Sequence, residues 1–410
     1  MAKVSHTLRR EAFYIDPIGM KGSFLNTRLR LSKFDILNNQ EKTSSPFRAE
    51  VRPVMPRVLV PTDDDDRGLV EGYRSLGWDI AIGTKNFEIR ASQYDVVHHQ
   101  WPEEYSGWQV PTERQVVEIG QNLRWWSSRA INIFTVHNLY PHHGIGHPAC
   151  HELYSCFYRH CHIISHFSHT SQRLVLEEFP AARQAKHIVH CPANNEFALA
   201  TQKQRGSRRL EMGIGNDEFV ILMIGSIRSW REFELMQYAF DLARVPKKRL
   251  LMAGKFAISA APWRKRLLKL KMNWWLMSRR AVVDTSYIPE DEISRFLDSC
   301  DVAIVPRFEG HLNSGIVFLA MTFGRMVIAP DCGAYPEQLA DSRNLFFQPG
   351  NPTSLASKLE EAATLDADDI GRENAKIASK WGWREICRAC LDAVGEGTAL
   401  SHDNSRTLLG

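Results

Sequence analysis

Short apolar runs separated by amphipathic stretches organise most of this chain. Arg57-Val58-Leu59-Val60-Pro61 reads as a first buried strand, stopped by the acidic loop Asp63–Asp66. Gly68–Leu76 then has a helical pattern, and Trp78–Ile82 is a second strand. Tyr94-Asp95-Val96-Val97-His98 and Ile131–Val136 are two more short apolar strands. Runs of this length, alternating with helical stretches, indicate a parallel sheet wound by βαβ units.

The alternation restarts after the polar, basic stretch Thr201–Arg209. Phe219–Ile224, Arg249–Ala253, Ala281–Asp284 and Val302–Pro306 are strand-like. Phe233–Val245, Trp263–Met277 and Glu290–Ser299 are the helical segments between them. The pattern predicts an α/β chain with two successive Rossmann-like domains, over 54–205 and 206–378. An extension over 1–53 precedes them, and a helix and tail over 379–410 can cross back to the first domain. Ligands in such folds bind beyond the carboxyl ends of the strands, so functional residues are expected just after them.

Composition adds bounds. With 410 residues, 44% hydrophobic and 24% charged, the chain has material for large cores and no biased tract. No apolar run approaches the roughly 18 residues of a membrane-spanning helix, and no apolar segment follows the basic N-terminus as a secretory signal requires. Eight scattered cysteines read as reduced thiols of a cytoplasmic protein and not as a disulfide framework. The net charge of +4 is unevenly placed: residues 1–52 hold ten Lys/Arg against five acids. Pro262–Arg280 holds seven Lys/Arg, three Trp and no acid. Interleaved Trp favours an anionic membrane surface over nucleic acid as the partner of such segments. Within that stretch Trp263, Leu267, Leu270, Trp274 and Met277 fall near one helical face. They read as a core-facing stripe with a basic solvated back, which can meet lipid headgroups. Trp125 and Trp126 are a further candidate acceptor or membrane surface.

The most informative loop is Pro306-Arg307-Phe308-Glu309-Gly310-His311-Leu312-Asn313-Ser314-Gly315-Ile316-Val317. It leaves a buried strand and enters a helix through small residues, which aims backbone N–H groups from Asn313, Ser314, Gly315 and Ile316 at an anion. Gly225-Ser226-Ile227-Arg228-Ser229-Trp230-Arg231 follows another strand. Gly225 permits close approach there, and Arg228 and Arg231 can clamp a diphosphate. Lys255, after Ala253-Gly254, supplies a third cation. This set needs no metal and no cofactor. Nine of the sixteen histidines lie between 137 and 169 beside Cys150, Cys156 and Cys161, but their spacing matches no closed zinc pattern.

On these residues the second half resembles the donor domain of GT-B glycosyltransferases, group 1 (family 4). The signatures run in order: Ile224–Arg228 with Arg231, Met252–Lys255, Tyr287-Ile288-Pro289, Asp301–Pro306, Ser314–Ala329 and Pro330–Gly333 with Pro336-Glu337. The first half is similar through Asp95–Glu103 and Thr135–Pro141. The resemblance covers roughly 56–395 and implies two Rossmann-like domains facing across a cleft. It implies a donor site at Gly225, Ser226, Arg228, Arg231, Lys255, His311 and Asn313–Ile316, with Ile288 lining the base pocket. One departure stands out. The two glutamates that the family spaces eight apart fall here on His311 and Leu319, so the usual ribose contact and retaining stereochemistry do not carry over.

His137 follows a buried strand and matches a family histidine, which makes it the catalytic candidate, as general base if the reaction inverts. Asp64, Trp101 and Glu103 are expected on the acceptor side. The implied function is hexosyl transfer from a nucleotide-diphosphate sugar to a glycan or lipid-linked oligosaccharide, as in exopolysaccharide assembly such as succinoglycan synthesis. The expected location is the cytoplasm, peripheral on the inner face of the plasma membrane. A nucleotide-sugar epimerase on the same fold is an alternative. A nicotinamide-dependent oxidoreductase is another, against which stands the missing G-x-G-x-x-G after the first strand. A nucleic-acid partner leaves the loop constellation unexplained.

Overall fold

Two parallel sheets, each of six described strands, form the frame. The computed structural model describes residues 55–404 apart from 64–66, 91–93, 142–143, 145, 194–198, 200–201, 259, 287 and 309–311. The extension over 1–53 and the site candidates Asp64 and His311 therefore lie outside the described residues. The first sheet contains β1 (57–60), β2 (79–82), β3 (96–99), β4 (131–136), β5 (163–166) and β6 (186–189), in the order β2-β1-β3-β4-β5-β6. The second contains β7 (219–224), β8 (248–253), β9 (282–284), β10 (302–304), β11 (326–330) and β12 (345–347), in the order β12-β11-β10-β7-β8-β9. β1 to β4 and β7 to β10 lie within two residues of the apolar runs that predict them.

The central strands are continuous apolar runs because helices cover both faces of each sheet. The first domain carries α1 (67–75), α2 (84–89), α3 (113–127), α4 (148–160) and α5 (169–178). The second carries α6 (205–211), α7 (230–242), α8 (262–278), α9 (290–299), α10 (315–322), α11 (335–338), α12 (352–362) and α13 (367–378). Local chemistry starts several of them. Thr112 and Gln115 form a reciprocal capping box on α3, and Ser229 and Ser314 accept N–H bonds at the starts of α7 and α10.

The last helix, α14 (383–404), crosses to the first domain and packs on α1. Cys387, Cys390 and Ala393 join Val58, Val60, Leu69 and Tyr73 in one buried cluster. Close approach requires Gly68 and Gly72 on α1. A Cβ on Gly68 would stand 2.0 Å from the Trp383 ring, and one on Gly72 would stand 2.7 Å from the Cys387 sulfur. Removing α14 would therefore expose a core face of a domain more than three hundred residues earlier in the chain.

The helix over Pro262–Ser278 corrects an expectation. Its Trp263, Leu267, Leu270, Trp274 and Met277 stripe is exposed, and Met272, Trp275 and Leu276 on the opposite face are buried. Trp126 also departs from expectation. It is buried among Phe87, Tyr94 and Trp125, and its indole N–H donates to the Phe87 carbonyl at 2.9 Å, so it offers no surface.

Candidate active site

Strand order in the second sheet reverses between β7 and β10, and open α/β sheets bind ligands at such a crevice. Three loops meet there. Gly225 ends β7 at φ 103°, and a Cβ on it would lie 2.6 Å from Ile316 Cδ1, at the start of α10. Gly254 ends β8 at φ 137°, and a Cβ on it would lie 2.2 Å from the Gly225 carbonyl oxygen. Both glycines thus satisfy backbone conformation and close approach together. The Ile227 N–H donates to the Lys255 carbonyl at 2.9 Å, which holds the Arg228 and Lys255 loops side by side. Ser226 lies half-buried in the same turn, and Ile288 is half-buried against the apolar cluster behind β7 and β10.

A buried acid organises the cations. Glu232, in the first turn of α7, accepts from the Arg228 backbone N–H at 2.9 Å and forms a salt bridge with Arg307 just past β10. Both Glu232 and Arg307 are buried. Burial pushes the nearby Tyr335 hydroxyl pKa up, and the Arg307 and Arg228 charges act against it. Arg231 differs from both: it is exposed, and its guanidinium stands 4.7 Å over the Phe308 ring. Sequence reasoning named Arg228 and Arg231 but missed Glu232 and Arg307. These two are 75 positions apart, and only the β7–β10 neighbourhood joins them.

Gly315 is exposed at the N-terminus of α10, with open space where a Cβ would be. The Ser314 hydroxyl caps that helix through the Val317 N–H. Leu319, at the second of the family's glutamate positions, is buried in the second domain's core and cannot bond a ribose.

The first domain meets this loop directly. Leu312 packs into the first domain's core, and its carbonyl accepts from the Ser168 hydroxyl at 2.8 Å. Glu337 accepts from the backbone N–H groups of His169 and Thr170, at the start of α5. The Asn313 side-chain amide donates to the His137 carbonyl at 3.1 Å. His137 follows β4 and is half-buried. Its ring stacks on Trp101 with centroids 4.1 Å apart and planes at 15°, and its Nε2 donates to Gln100 Oε1 at 2.7 Å. A neutral ring protonated at Nε2 keeps its basic lone pair on Nδ1.

The other described strand-end histidines are buried and neutral. His98 bonds the Tyr73 hydroxyl at 2.7 Å and the Thr135 hydroxyl at 2.8 Å; burial lowers its pKa to about 3. His99, bonded to the Tyr105 hydroxyl, is lowered to about 3 in the same way. His166 bridges the Ser171 hydroxyl and His187, and burial also takes it to about 3. Among the described residues no three His, Cys, Asp or Glu side chains are placed to hold a metal ion. Glu103, expected on the acceptor side, is instead buried beneath the turn after Trp101 and hydrogen-bonded to Tyr154.

Two facing Rossmann-like domains with a switch-point crevice define the GT-B architecture, and solved structures agree. A glycosyltransferase from Rickettsia africae superposes with a TM-score of 0.62 at 14% identity, over 83% of this chain and 98% of that one. HepE of Anabaena, determined with UDP, gives 0.60 at 12%, over 83% and 100%. Sucrose-phosphate synthase from Thermosynechococcus elongatus gives 0.59 at 15%, over 86% and 100%. No curated protein matches the chain in sequence. Residues 218–364 match the family described as glycosyl transferases group 1. The chain is a glycosyltransferase, and the match falls on the domain that carries Arg228, Lys255 and the α10 loop.

Proposed function

We propose that the enzyme moves a hexose from a nucleotide-diphosphate sugar to a glycan or lipid-linked oligosaccharide of surface polysaccharide synthesis, on the cytoplasmic side of a membrane. The donor diphosphate binds between Arg228, Arg231, Lys255 and the N–H groups from Asn313 to Ile316. These groups stabilise the negative charge that grows on the leaving nucleotide diphosphate, the main catalytic demand in this chemistry. The acceptor oxygen attacks the anomeric carbon as the bond to the diphosphate breaks, and the acceptor proton passes to His137 Nδ1. The anomeric centre inverts.

The observation that supports this most is the Asn313 to His137 bond, because it ties the candidate phosphate loop to the candidate base. Gln100 and Trp101 hold the ring in plane and tautomer. A donor screen by nucleotide-diphosphate release, with and without membrane extract, tests the reading. Release that depends on one donor and on the extract is expected. NMR of the product's anomeric proton, set against the donor's configuration, then tests inversion. A retained configuration would remove His137 as the base and leave it a sugar contact.

A further inference from the structure

Fourteen large apolar side chains are exposed among the described residues, and five of them share one helix, α8. Trp263 is 67% exposed, Trp274 74% and Met277 78%, with Leu267 and Leu270 between them. At 3.6 residues per turn these five positions fall within about 80° of arc and run roughly 20 Å along the helix. Arg264 and Lys271 border the stripe on one side and Arg266 on the other, all exposed. The helix and its following turn contain no acid.

The stripe does nothing for the helix's own attachment. Met272, Trp275 and Leu276 make that attachment from the opposite face, and the Trp275 indole N–H donates to Asp241 at 3.0 Å. Arg279 donates to the same carboxylate at 2.8 Å. Leu268 adds a half-buried contact to the same core one turn earlier. A contiguous exposed apolar face rimmed by charge marks an interaction surface and not chance exposure.

We propose that this outer face seats the protein on an anionic bilayer. Trp263, Leu267, Leu270, Trp274 and Met277 enter the boundary between headgroups and acyl chains, and Arg264, Arg266 and Lys271 pair with lipid phosphates. Tryptophan beside apolar side chains, with Lys and Arg flanking, is the composition that binds in the plane of an interface. Charge selects this occupant over a second copy of the chain. A two-fold dimer through this face would set Arg264, Arg266 and Lys271 of one copy against those of the other, with no acid in the helix to relieve them. The inference rests on the proposed function only in giving the docked enzyme a lipid-linked acceptor; the docking itself stands on the helix.

The test is cosedimentation of the full chain with vesicles of phosphatidylglycerol and phosphatidylcholine, and with phosphatidylcholine alone. The wild type is expected on the anionic vesicles at low salt and off them as salt rises. Trp263→Ser with Trp274→Ser should weaken partitioning by roughly tenfold with unchanged circular dichroism, since both side chains are exposed. Arg264→Ser, Arg266→Ser and Lys271→Ser together should abolish the preference for anionic lipid. Undiminished binding by the tryptophan pair variant overturns the proposal. So does absence of vesicle binding, or a dimer in sedimentation velocity that the same pair dissociates. Donor turnover, followed with membrane extract and apart from the vesicle assay, separates the two readings. Turnover without vesicle binding sinks the docking face alone, and vesicle binding without turnover on any donor sinks the transferase reading alone.

Discussion

The two domains share a sheet architecture but end their strands in opposite chemistry. In the first, β3 to β6 end at or near His98 and His99, His137, His166 and His190. In the second, the corresponding positions are Gly225 to Arg228, Gly254-Lys255 and Arg307, and residues 206–378 contain only one histidine, His311. A neutral imidazole donates and accepts at once, so a row of them can lock strand ends without charge. Guanidinium and ammonium groups do the reverse: they present fixed charge to an anion. Along β3 to β6 one edge of the cleft is therefore a neutral row of imidazoles, and the other edge is a cationic socket. His137 is the exception on the neutral side, half-buried where its four strand-end counterparts are buried.

If that exception marks the base, replacing it should cost most. His137→Ala is expected to lower turnover by about 10²–10⁴-fold, the range for loss of a general base. Nucleoside-diphosphate affinity should change little, because the socket lies in the other domain. The comparison fails if steady-state kinetics show a fully active variant. A large affinity loss at constant turnover would also break it, by making His137 part of the socket.

The socket should respond the other way. Arg228→Ala is expected to weaken nucleoside-diphosphate binding by about 1.5–3 kcal/mol, the scale of a charge-assisted bond. Circular dichroism should be unchanged, because the Glu232 contact uses the Arg228 backbone N–H. Isothermal titration gives the number directly. Affinity equal to wild type would remove Arg228 from the site.

Much of this frame is legible in the sequence, and the gaps have physical reasons. Buried central strands such as Phe219–Ile224 advertise themselves as unbroken apolar runs. The edge strand β6, Lys186-His187-Ile188-Val189, does not, because all four residues are only half-buried. The loops of the socket are legible because glycine and arginine must follow strands there. The Glu232–Arg307 pair and the Asn313–His137 bond are not, since local pattern carries no information about partners 75 and 176 positions away. The facing of α8 misleads for a different reason. Leu268, Met272, Trp275 and Leu276 make a second apolar face, and periodicity alone cannot say which face the core takes.

Acid should separate the domains. His98, His99 and His166 are held near pKa 3 by burial, against an ordinary value of 6.5. The unfolded chain binds more protons between those values, so stability rises with pH there. The contribution is complete above about pH 6.5 and is lost as pH falls toward 3. Amide hydrogen exchange at pH 7.5 and pH 5 should show first-domain strands β3 to β5 losing protection before β7, β8 and β10. Uniform loss across both sheets would contradict the contrast.

The smallest effect is expected inside the socket itself, at Arg231. The sequence gives Arg228 and Arg231 equal standing, three residues apart after one strand. Their surroundings are unequal. The Arg228 backbone is tied to buried Glu232, and its charge reaches buried Tyr335. Arg231 is exposed over the Phe308 ring, in a medium where water and salt weaken any pairing. A cation in that position contributes about 1 kcal/mol or less. Arg231→Ala should thus weaken nucleoside-diphosphate binding by roughly fivefold at most, and the difference should shrink further as salt is raised. Arg228→Ala should keep most of its effect in the same salt series. If Arg231→Ala proves as damaging as Arg228→Ala at every ionic strength, the loop closes over the donor more tightly than its exposure implies, and the clamp is symmetric after all.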